Sequence, residues 1–180
     1  MSASQGFWDF SNRVYQRDGV QAACLELQNE YGLDVNMLLY CCWFGGTHGE
    51  FSEEVFERSL ATASNWSQNV VQPLRTVRTW LKLEIQGGRV TENKSIDDFR
   101  EEVKATELAA EKFQQNELER LVDNHSDNNF ESLSASSANL KRYFNGCGVD
   151  VPEDSRRLLA VILAASLPGE GLHKAFRSLG

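Results

Sequence analysis

The most hydrophobic part of the chain is a run of nine residues, from Met37 to Gly45, that carries no charge and no side-chain amide. The run is too short to span a bilayer and has a suitable length for a buried helix. Asp34 precedes it and can accept hydrogen bonds from the free backbone N–H groups of a helix start. Gly45 and Gly46 close the run, and glycine commonly ends a helix. The pattern predicts a buried central helix over about residues 34–45.

The other hydrophobic positions recur at helical spacing rather than at strand spacing. Pro73 lacks a backbone N–H and disfavours helical angles at the residue before it, so it predicts an interruption near residues 69–73. No stretch alternates convincingly with period two, as a half-buried strand would. The chain is therefore predicted to be all-α, a compact multi-helix bundle around the central helix. The clearest inward-facing stripe repeats at i, i+3, i+7 and i+11 and consists of Leu74, Val77, Leu81 and Ile85.

The C-terminal half separates into parts of different composition. The pattern from Ser95 to about Asp123 has acids in its first turn and a narrow apolar seam, which predicts a long acidic helix. Residues 124–139 are rich in serine and asparagine and are predicted to form a mobile linker. Residues 140–180 are predicted to form a C-terminal helical segment. The predicted main domain therefore covers residues 5–123.

Composition and charge argue against several classes of protein. The 180 residues carry a net charge of −8, and residues 92–131 hold 12 acids against 5 bases, which disfavours non-specific binding to nucleic acid. The sequence shows no signal peptide and no apolar run near the ~20 residues that a transmembrane helix needs. Its four cysteines fit neither a zinc site nor a disulfide framework, which predicts buried thiols in a reducing compartment. We expect a cytoplasmic protein that inserts into no membrane.

Candidate catalytic groups are few, and no motif of a familiar enzyme class is present. His48 and Glu50 lie in a glycine-rich loop and could form an acid–base pair, although two exposed polar groups at a helix end are the simpler interpretation. Two i, i+4 carboxylate pairs could hold a divalent cation, but the helix dipole alone favours acids in a first turn: Asp97, Asp98, Glu101 and Glu102. We predict no catalytic residue, no metal site and no cofactor.

A basic stripe is the candidate binding site. Arg75, Arg78 and Lys82 lie at i, i+3 and i+7 on one predicted helix, beside Trp80. The planar fork of arginine binds a carboxylate or phosphate through two hydrogen bonds at once. Two interpretations stay open. The stripe could dock against the protein's own residues 97–111, or it could bind an anionic group of a partner.

Several short motifs occur together between residues 7 and 121: Phe7-Trp8-Asp9-Phe10-Ser11, Ala23-Cys24-Leu25-x-Leu27-Gln28, Asp34-Val35-Asn36-Met37-Leu38-Leu39 with Cys42-Trp43, Val71-x-Pro73-Leu74-Arg75-x-x-Arg78, and Glu107-Leu108-Ala109-Ala110-Glu111. In combination they resemble an uncharacterised family of small proteobacterial cytoplasmic proteins, a domain of unknown function. The resemblance implies a helical fold and a cytoplasmic location. It brings no activity and no catalytic residue with it.

The expected function is that of a non-enzymatic helical binding or regulatory protein that acts through protein–protein contacts. Its partner is expected to be another protein, with self-association through the long helix as a further option. A carrier of a small lipid-like or isoprenoid-like ligand is the alternative, because five aromatic residues could line a pocket: Trp8, Tyr40, Trp43, Phe44 and Trp66. Helical spacing favours ordinary core packing of these residues. A metal- or anion-dependent enzyme is the third hypothesis.

Overall fold

The structure, a computed structural model, describes residues 6–87, 94–122, 130–148 and 153–180. Within these ranges the chain has no strand and forms nine α-helices and one π-helical turn: α1 Phe7–Tyr15, α2 Val20–Tyr31, α3 Val35–Thr47, α4 Glu53–Trp66, the π turn Ser67–Val71, α5 Gln72–Gln86, α6 Lys94–Glu119, α7 Ser132–Gly146, α8 Glu153–Ser166 and α9 Leu172–Ser178. The predicted all-α class is confirmed. None of the described helices combines the length and the apolar character needed to cross a bilayer.

The predicted central helix is α3. Asp34 caps it as expected, because its Oδ1 accepts hydrogen bonds from the backbone N–H groups of Asn36 at 2.8 Å and Met37 at 3.3 Å. Every residue from Asn36 to Gly45 is buried. α7 packs most extensively along α3, and α1, α2, α4, α6 and α8 contact its other sides. The uninterrupted apolar run is therefore explained by neighbours on all sides.

The prediction that Gly45 and Gly46 end this helix is wrong. α3 continues to Thr47, whose hydroxyl donates a hydrogen bond to the carbonyl oxygen of Trp43 at 2.6 Å. Gly45 is buried where α7 lies against α3, and Ser136 of α7 occupies the space that a side chain on Gly45 would need. The absence of a side chain at Gly45 therefore allows α3 and α7 to pack closely, and it does not terminate α3.

Aromatic side chains fill the core around α3. The ring centroid of Tyr40 lies 5.3 Å from that of Phe7 and 5.8 Å from that of Trp43, and the centroids of Phe44 and Phe51 are 4.5 Å apart. The hydroxyl of Tyr40 donates to the carbonyl oxygen of Leu118 at 2.9 Å, which satisfies its one buried polar atom. These contacts are those of ordinary core packing.

The chain beyond residue 130 belongs to the same core. α7 begins at Ser132, so residues 132–139 are helical and are not linker; residues 124–129 of the predicted linker lie outside the described residues. Asn139 is buried, and its side-chain amide is satisfied by hydrogen bonds to backbone atoms in the loop after α3. Its Oδ1 accepts from the N–H of Phe51 at 2.9 Å, and its Nδ2 donates to the carbonyl oxygen of Gly49 at 3.1 Å. Apolar residues of α7, α8 and α9 join the core cluster of α3: Leu133, Leu140, Phe144, Leu159, Ile162, Leu163 and Ala175.

The interruption predicted at Pro73 is a π-helical turn, Ser67–Val71, that leads directly into α5. Proline supplies no N–H and its ring crowds the preceding turn, so the α-helical ladder cannot run through it unchanged. Gln72 nevertheless keeps helical angles, with φ −63° and ψ −42°, which contradicts the expectation for the residue before a proline.

α5 stands apart from the rest of the bundle. Of the described elements, only α6 and the π turn contact it. The predicted inward stripe of α5 is therefore only partly buried: Leu81 is 4% exposed, whereas Val77 is 43% exposed. We call α5 together with residues 94–107 of α6 the arm.

The four cysteines form no disulfide. Cys24, Cys41 and Cys42 are buried and Cys147 is exposed, so the predicted burial holds for three of them. Burial raises the pKa of both Cys24 and Cys42 to about 12, which keeps these thiols protonated and unreactive at neutral pH.

Candidate functional site

A cleft of ≈ 750 Å³ separates the arm from the N-terminal helices. α1 and α2 form one wall, α5 and α6 form the other, and the beginning of α3 lies at its floor. Leu25 on α2 and Leu108 on α6 line the two walls and are 41% and 53% exposed. An open cleft with apolar side chains on its walls and polar groups at fixed positions is the usual form of a binding site.

Five side chains of the cleft form one hydrogen-bonded row, which we call the polar chain: Ser11, Gln115, Asn36, Gln114 and Asp34. The Ser11 hydroxyl donates to Oε1 of Gln115 at 2.5 Å, and Nε2 of Gln115 donates to Oδ1 of Asn36 at 2.7 Å. Nδ2 of Asn36 donates to Oε1 of Gln114 at 2.6 Å, and Nε2 of Gln114 donates to Oδ2 of Asp34 at 2.9 Å. The row links α1, α6 and α3 and ends on a carboxylate. Its buried amides are satisfied and therefore hold a fixed geometry.

Glu107 forms ion pairs with both arginines of α5, Arg75 and Arg78. Nε of Arg75 donates to Oε1 of Glu107 at 3.0 Å, and Arg78 donates through Nε to Oε2 and through Nη2 to Oε1, the latter at 3.3 Å. The Glu107 side chain is 8% exposed. Burial raises its pKa, but the hydrogen bonds from Arg78 and Arg75 outweigh burial, so the pKa of Glu107 lies below its ordinary value. This carboxylate is ionised and well supplied with donors.

Glu111 lies one helical turn further along α6 and has fewer partners. Nη2 of Arg75 donates to its Oε1 at 2.9 Å, and no other described residue donates a hydrogen bond to this carboxylate. Burial is the largest influence and raises the pKa of Glu111, while the charge of Arg75 opposes the rise. The two glutamates therefore differ: both carboxylate oxygens of Glu107 accept hydrogen bonds, whereas Oε2 of Glu111 has no donor among the described residues.

Only the two arginines of the predicted basic stripe line the cleft, and Trp80 and Lys82 do not. Arg75 and Arg78 pair with Glu107 and Glu111, which agrees with docking against the protein's own residues 97–111. Both arginines line the cleft. Their binding of an anionic group of a partner stays a prediction.

The two other residues of the stripe lie outside the cleft. Trp80 is 55% exposed, and Lys82 is exposed as well. Trp80 borders a shallower depression of ≈ 420 Å³ on α5. Gln72 and Thr79 line both this depression and the cleft, so the two are continuous along the arm.

His48 and Glu50, the weak loop candidates, do not form a site of their own. His48 caps the end of α3, half-buried, and its ring centroid is 5.2 Å from that of Trp43 and 5.2 Å from that of Phe44. Burial lowers the pKa of His48, which favours its neutral form. Glu50 is exposed in the following loop. In the described part of the chain, no three histidine, cysteine, aspartate or glutamate side chains are grouped so that they could hold a metal ion.

The five aromatic residues considered as a pocket lining are also separated. Tyr40, Trp43 and Phe44 belong to the packed core. Trp8 lines the cleft, where Nζ of Lys112 lies 5.3 Å from its ring centroid. Trp66 contacts Phe113, with the two ring planes tilted by 30° and the centroids 4.4 Å apart, and its Nε1 donates to the carbonyl oxygen of Ala110 at 2.8 Å.

A family model described as "Protein of unknown function (DUF2390)" matches residues 6–118. The chain belongs to this family. The resemblance found over residues 7–121 is thereby confirmed as membership of a family of unknown function. The lining of the cleft, from Trp8 to Gln115, falls inside the DUF2390 match, and α7, α8 and α9 lie beyond it. Comparison with curated proteins and with solved structures gave no match.

Sequence reasoning did not single out two buried polar residues on the α6 wall of the cleft, Glu107 and Gln114. Glu107, Ala110 and Gln114 recur at i, i+3 and i+7, so the two polar residues occupy positions on the apolar seam of α6. Averaged over the whole residue, main chain included, Glu107 is 6% exposed and Gln114 is 1% exposed. A polar residue at a seam position is a recognised signal of a buried interaction between helices. Here that signal could have located both residues.

Proposed function

We propose that this protein is a non-enzymatic binding protein that acts through contact with another protein, and that the cleft takes a segment of the partner. One observation carries the proposal. The cleft stays open, with Leu25 and Leu108 exposed on its walls, above a floor whose polar groups are already held in place. Apolar groups that remain accessible beside a rigid polar surface suit recognition of a partner.

The walls also carry groups that match a polypeptide. Carboxamides occur on α1, α2 and α5, at Asn12, Gln21, Gln28, Asn29 and Gln72. Each carboxamide offers both a donor and an acceptor, as does each peptide unit of a partner's main chain. The exposed leucines supply places for apolar side chains. A protein segment can bind both the carboxamides and the leucines, whereas the apolar chain of a lipid would contact only the leucines.

The two other hypotheses have less support. Carriage of an apolar ligand in the helical core would need space around Tyr40, Trp43 and Phe44, and these rings pack against each other and against Phe7 and Phe51. A metal- or anion-dependent enzyme would need a reactive group in the cleft. Arg75, Arg78, Glu107 and Glu111 are already engaged with one another there in ion pairs, an arrangement that suits binding better than catalysis.

Site-specific photocrosslinking in the native host tests the proposal. A benzophenone amino acid replaces Leu25 in one variant and Leu108 in another, and Leu172 on α9, which is 54% exposed and lies outside the cleft, serves as the matched control. We expect the same polypeptide to be crosslinked from positions 25 and 108 and not from position 172. Circular dichroism confirms that each variant is folded.

Three results would contradict the proposal. They are crosslinks equal in pattern and yield at all three positions, no protein adduct from either cleft position, or adducts with lipid alone. Mass spectrometry of the excised adducts separates these results, because it identifies the crosslinked species and the peptide in which the bond formed.

A further inference from the structure

We infer that the partner segment brings a lysine or arginine side chain to Glu111. The inference rests on the proposed function, since it concerns the occupant of the same cleft. It depends on how hydrogen bonds are divided among the carboxylates, on the charge balance of the cleft, and on the position of Leu108 beside Glu111.

Hydrogen bonds are shared unequally between Glu107 and Glu111. Glu107 accepts three from the two arginines, while Glu111 accepts one, at Oε1, from an Arg75 side chain that also serves Glu107. Across the described ranges, nothing donates to Oε2 of Glu111. A partly buried carboxylate gains most from an added donor where one of its oxygens is open.

The charge balance of the cleft favours a cation. Three carboxylates line it, those of Asp34, Glu107 and Glu111, against the guanidinium groups of Arg75 and Arg78. Lys104 also borders the cleft, but its Nζ is hydrogen-bonded to Glu101 at 3.1 Å and that pair is exposed. Among the described residues, Arg75 and Arg78 are the cations that form ion pairs with these three carboxylates, so the carboxylates outnumber their directly bonded cations by one, in a chain whose net charge is −8. Electrostatic complementarity therefore selects a basic segment over an acidic one.

The wall beside Glu111 suits the long side chain of lysine or arginine. Leu108 lies three residues before Glu111 on α6, so the two side chains are neighbours on one helix face, and both line the cleft. Leu108 is 53% exposed. Lysine and arginine place their aliphatic stem on apolar surface while the charged head reaches a polar group. A basic side chain can therefore cover Leu108 and end at Glu111.

Selection of random peptides displayed on phage against the full chain tests the inference. Peptides that also bind a Leu25→Asp/Leu108→Asp variant are removed first, so that only ligands of the cleft remain. We expect the survivors to share a lysine or arginine next to apolar residues. Each is then synthesised, and its Kd is measured by fluorescence anisotropy at two salt concentrations.

The decisive comparison is between Glu111→Gln and Glu102→Gln. Both changes remove one negative charge from α6, but Glu102 is exposed and outside the cleft. We expect Glu111→Gln to weaken binding about tenfold or more and to reduce its salt dependence, and Glu102→Gln to leave both nearly unchanged. A circular dichroism spectrum like that of the wild type and a cooperative thermal transition show that the Glu111→Gln variant is folded.

The possible failures are distinguishable. Cleft-dependent peptides without a shared basic residue, or with affinity unaffected by Glu111→Gln, overturn the inference and leave the proposed function standing. A selection that returns no cleft-dependent peptide overturns both.

Discussion

Gly45 of α3 and Ser136 of α7 are in contact at the level of the backbone: a Cβ atom on Gly45 would lie 2.4 Å from the Cα of Ser136. The Ser136 hydroxyl donates to the carbonyl oxygen of Cys42 at 3.2 Å across the same contact. The central helix is thus joined most closely to a helix that lies outside the DUF2390 match.

Gly45→Ala and Gly46→Ala should therefore differ, although both replace glycine within one helix. Alanine favours the helix by up to ~1 kcal/mol at either position. At Gly45 the new methyl group meets backbone, and we expect a net loss of about 1–3 kcal/mol or more in the free energy of unfolding. At Gly46 the nearest atom is Cδ2 of Leu167 at 3.2 Å, a side chain that can move, so the change should stay within about 1 kcal/mol. Urea denaturation measures both, and equal losses would contradict the close contact.

Removal of α7, α8 and α9 should abolish cooperative folding. The apolar side chains that these helices contribute to the core, such as Leu140, Phe144 and Leu163, each stabilise the fold by about 1.5–3 kcal/mol when buried. Their sum is comparable with the whole stability of a domain, about 5–15 kcal/mol. A chain that ends at Val122 is expected to show no sigmoidal thermal transition by circular dichroism. A transition near that of the full chain would instead support the domain boundary predicted from the sequence.

Trp43 and Trp80 should respond very differently to the same substitution. Trp43 is 2% exposed and its ring centroid lies 5.4 Å from that of Phe7, whereas Trp80 is 55% exposed. We expect Trp43→Ala to cost about 3–5 kcal/mol in the free energy of unfolding. Trp80→Ala should change it by less than about 1 kcal/mol, as surface substitutions usually do. Similar losses from both in guanidinium denaturation would show that α5 is covered in a way the structure does not describe.

Glu107 and Glu111 should give stability opposite dependences on pH. The folded-state pKa of Glu107 is lowered, so its contribution is complete above the ordinary value of about 4.3 and is lost as pH falls through the folded pKa. The folded-state pKa of Glu111 is raised, so the folded protein holds that proton more tightly than the unfolded chain does. Stability therefore falls as pH rises from about 4.3 through the raised pKa.

Glutamine variants separate the two effects. Glu107→Gln should flatten the loss of stability on the acidic side of about pH 4.3, and Glu111→Gln should flatten the fall on the other side. The melting temperature measured against pH for the wild type and both variants checks this. Identical profiles for the two variants would contradict the unequal division of hydrogen bonds between these carboxylates.

Much of the fold can be predicted from the sequence because its signals are local. The cap at Asp34, the apolar run after it and the interruption before Pro73 each follow from the chemistry of a few adjacent residues. The start of α7 is not predictable in this way. Residues 132–139 have a composition typical of a linker, but they are helical and most of them are buried, with Asn139 and Ser136 hydrogen-bonded to backbone atoms about 90 residues earlier in the chain.

The cleft is harder to predict for the same reason. Arg75 and Arg78 could be identified as candidates, and residues 97–111 as their docking surface, because a basic stripe without nearby acids needs a partner. The polar chain depends on Ser11, Asn36 and Gln114, which lie on three helices that meet only in the folded protein. Single polar residues at such positions look like surface residues until their neighbours are known.

The π turn between α4 and α5 can be counted as one surplus residue in an otherwise continuous helix. An α-helix turns by about 100° per residue, so this surplus sets the rotational phase of every side chain that follows it. Deletion of one residue within 67–71 would remove this surplus residue and rotate α5 by about 100° relative to α4. Arg75 and Arg78 would then turn away from Glu107. The length of this five-residue segment therefore decides which side chains of α5 face the cleft. The segment itself contains no charged residue.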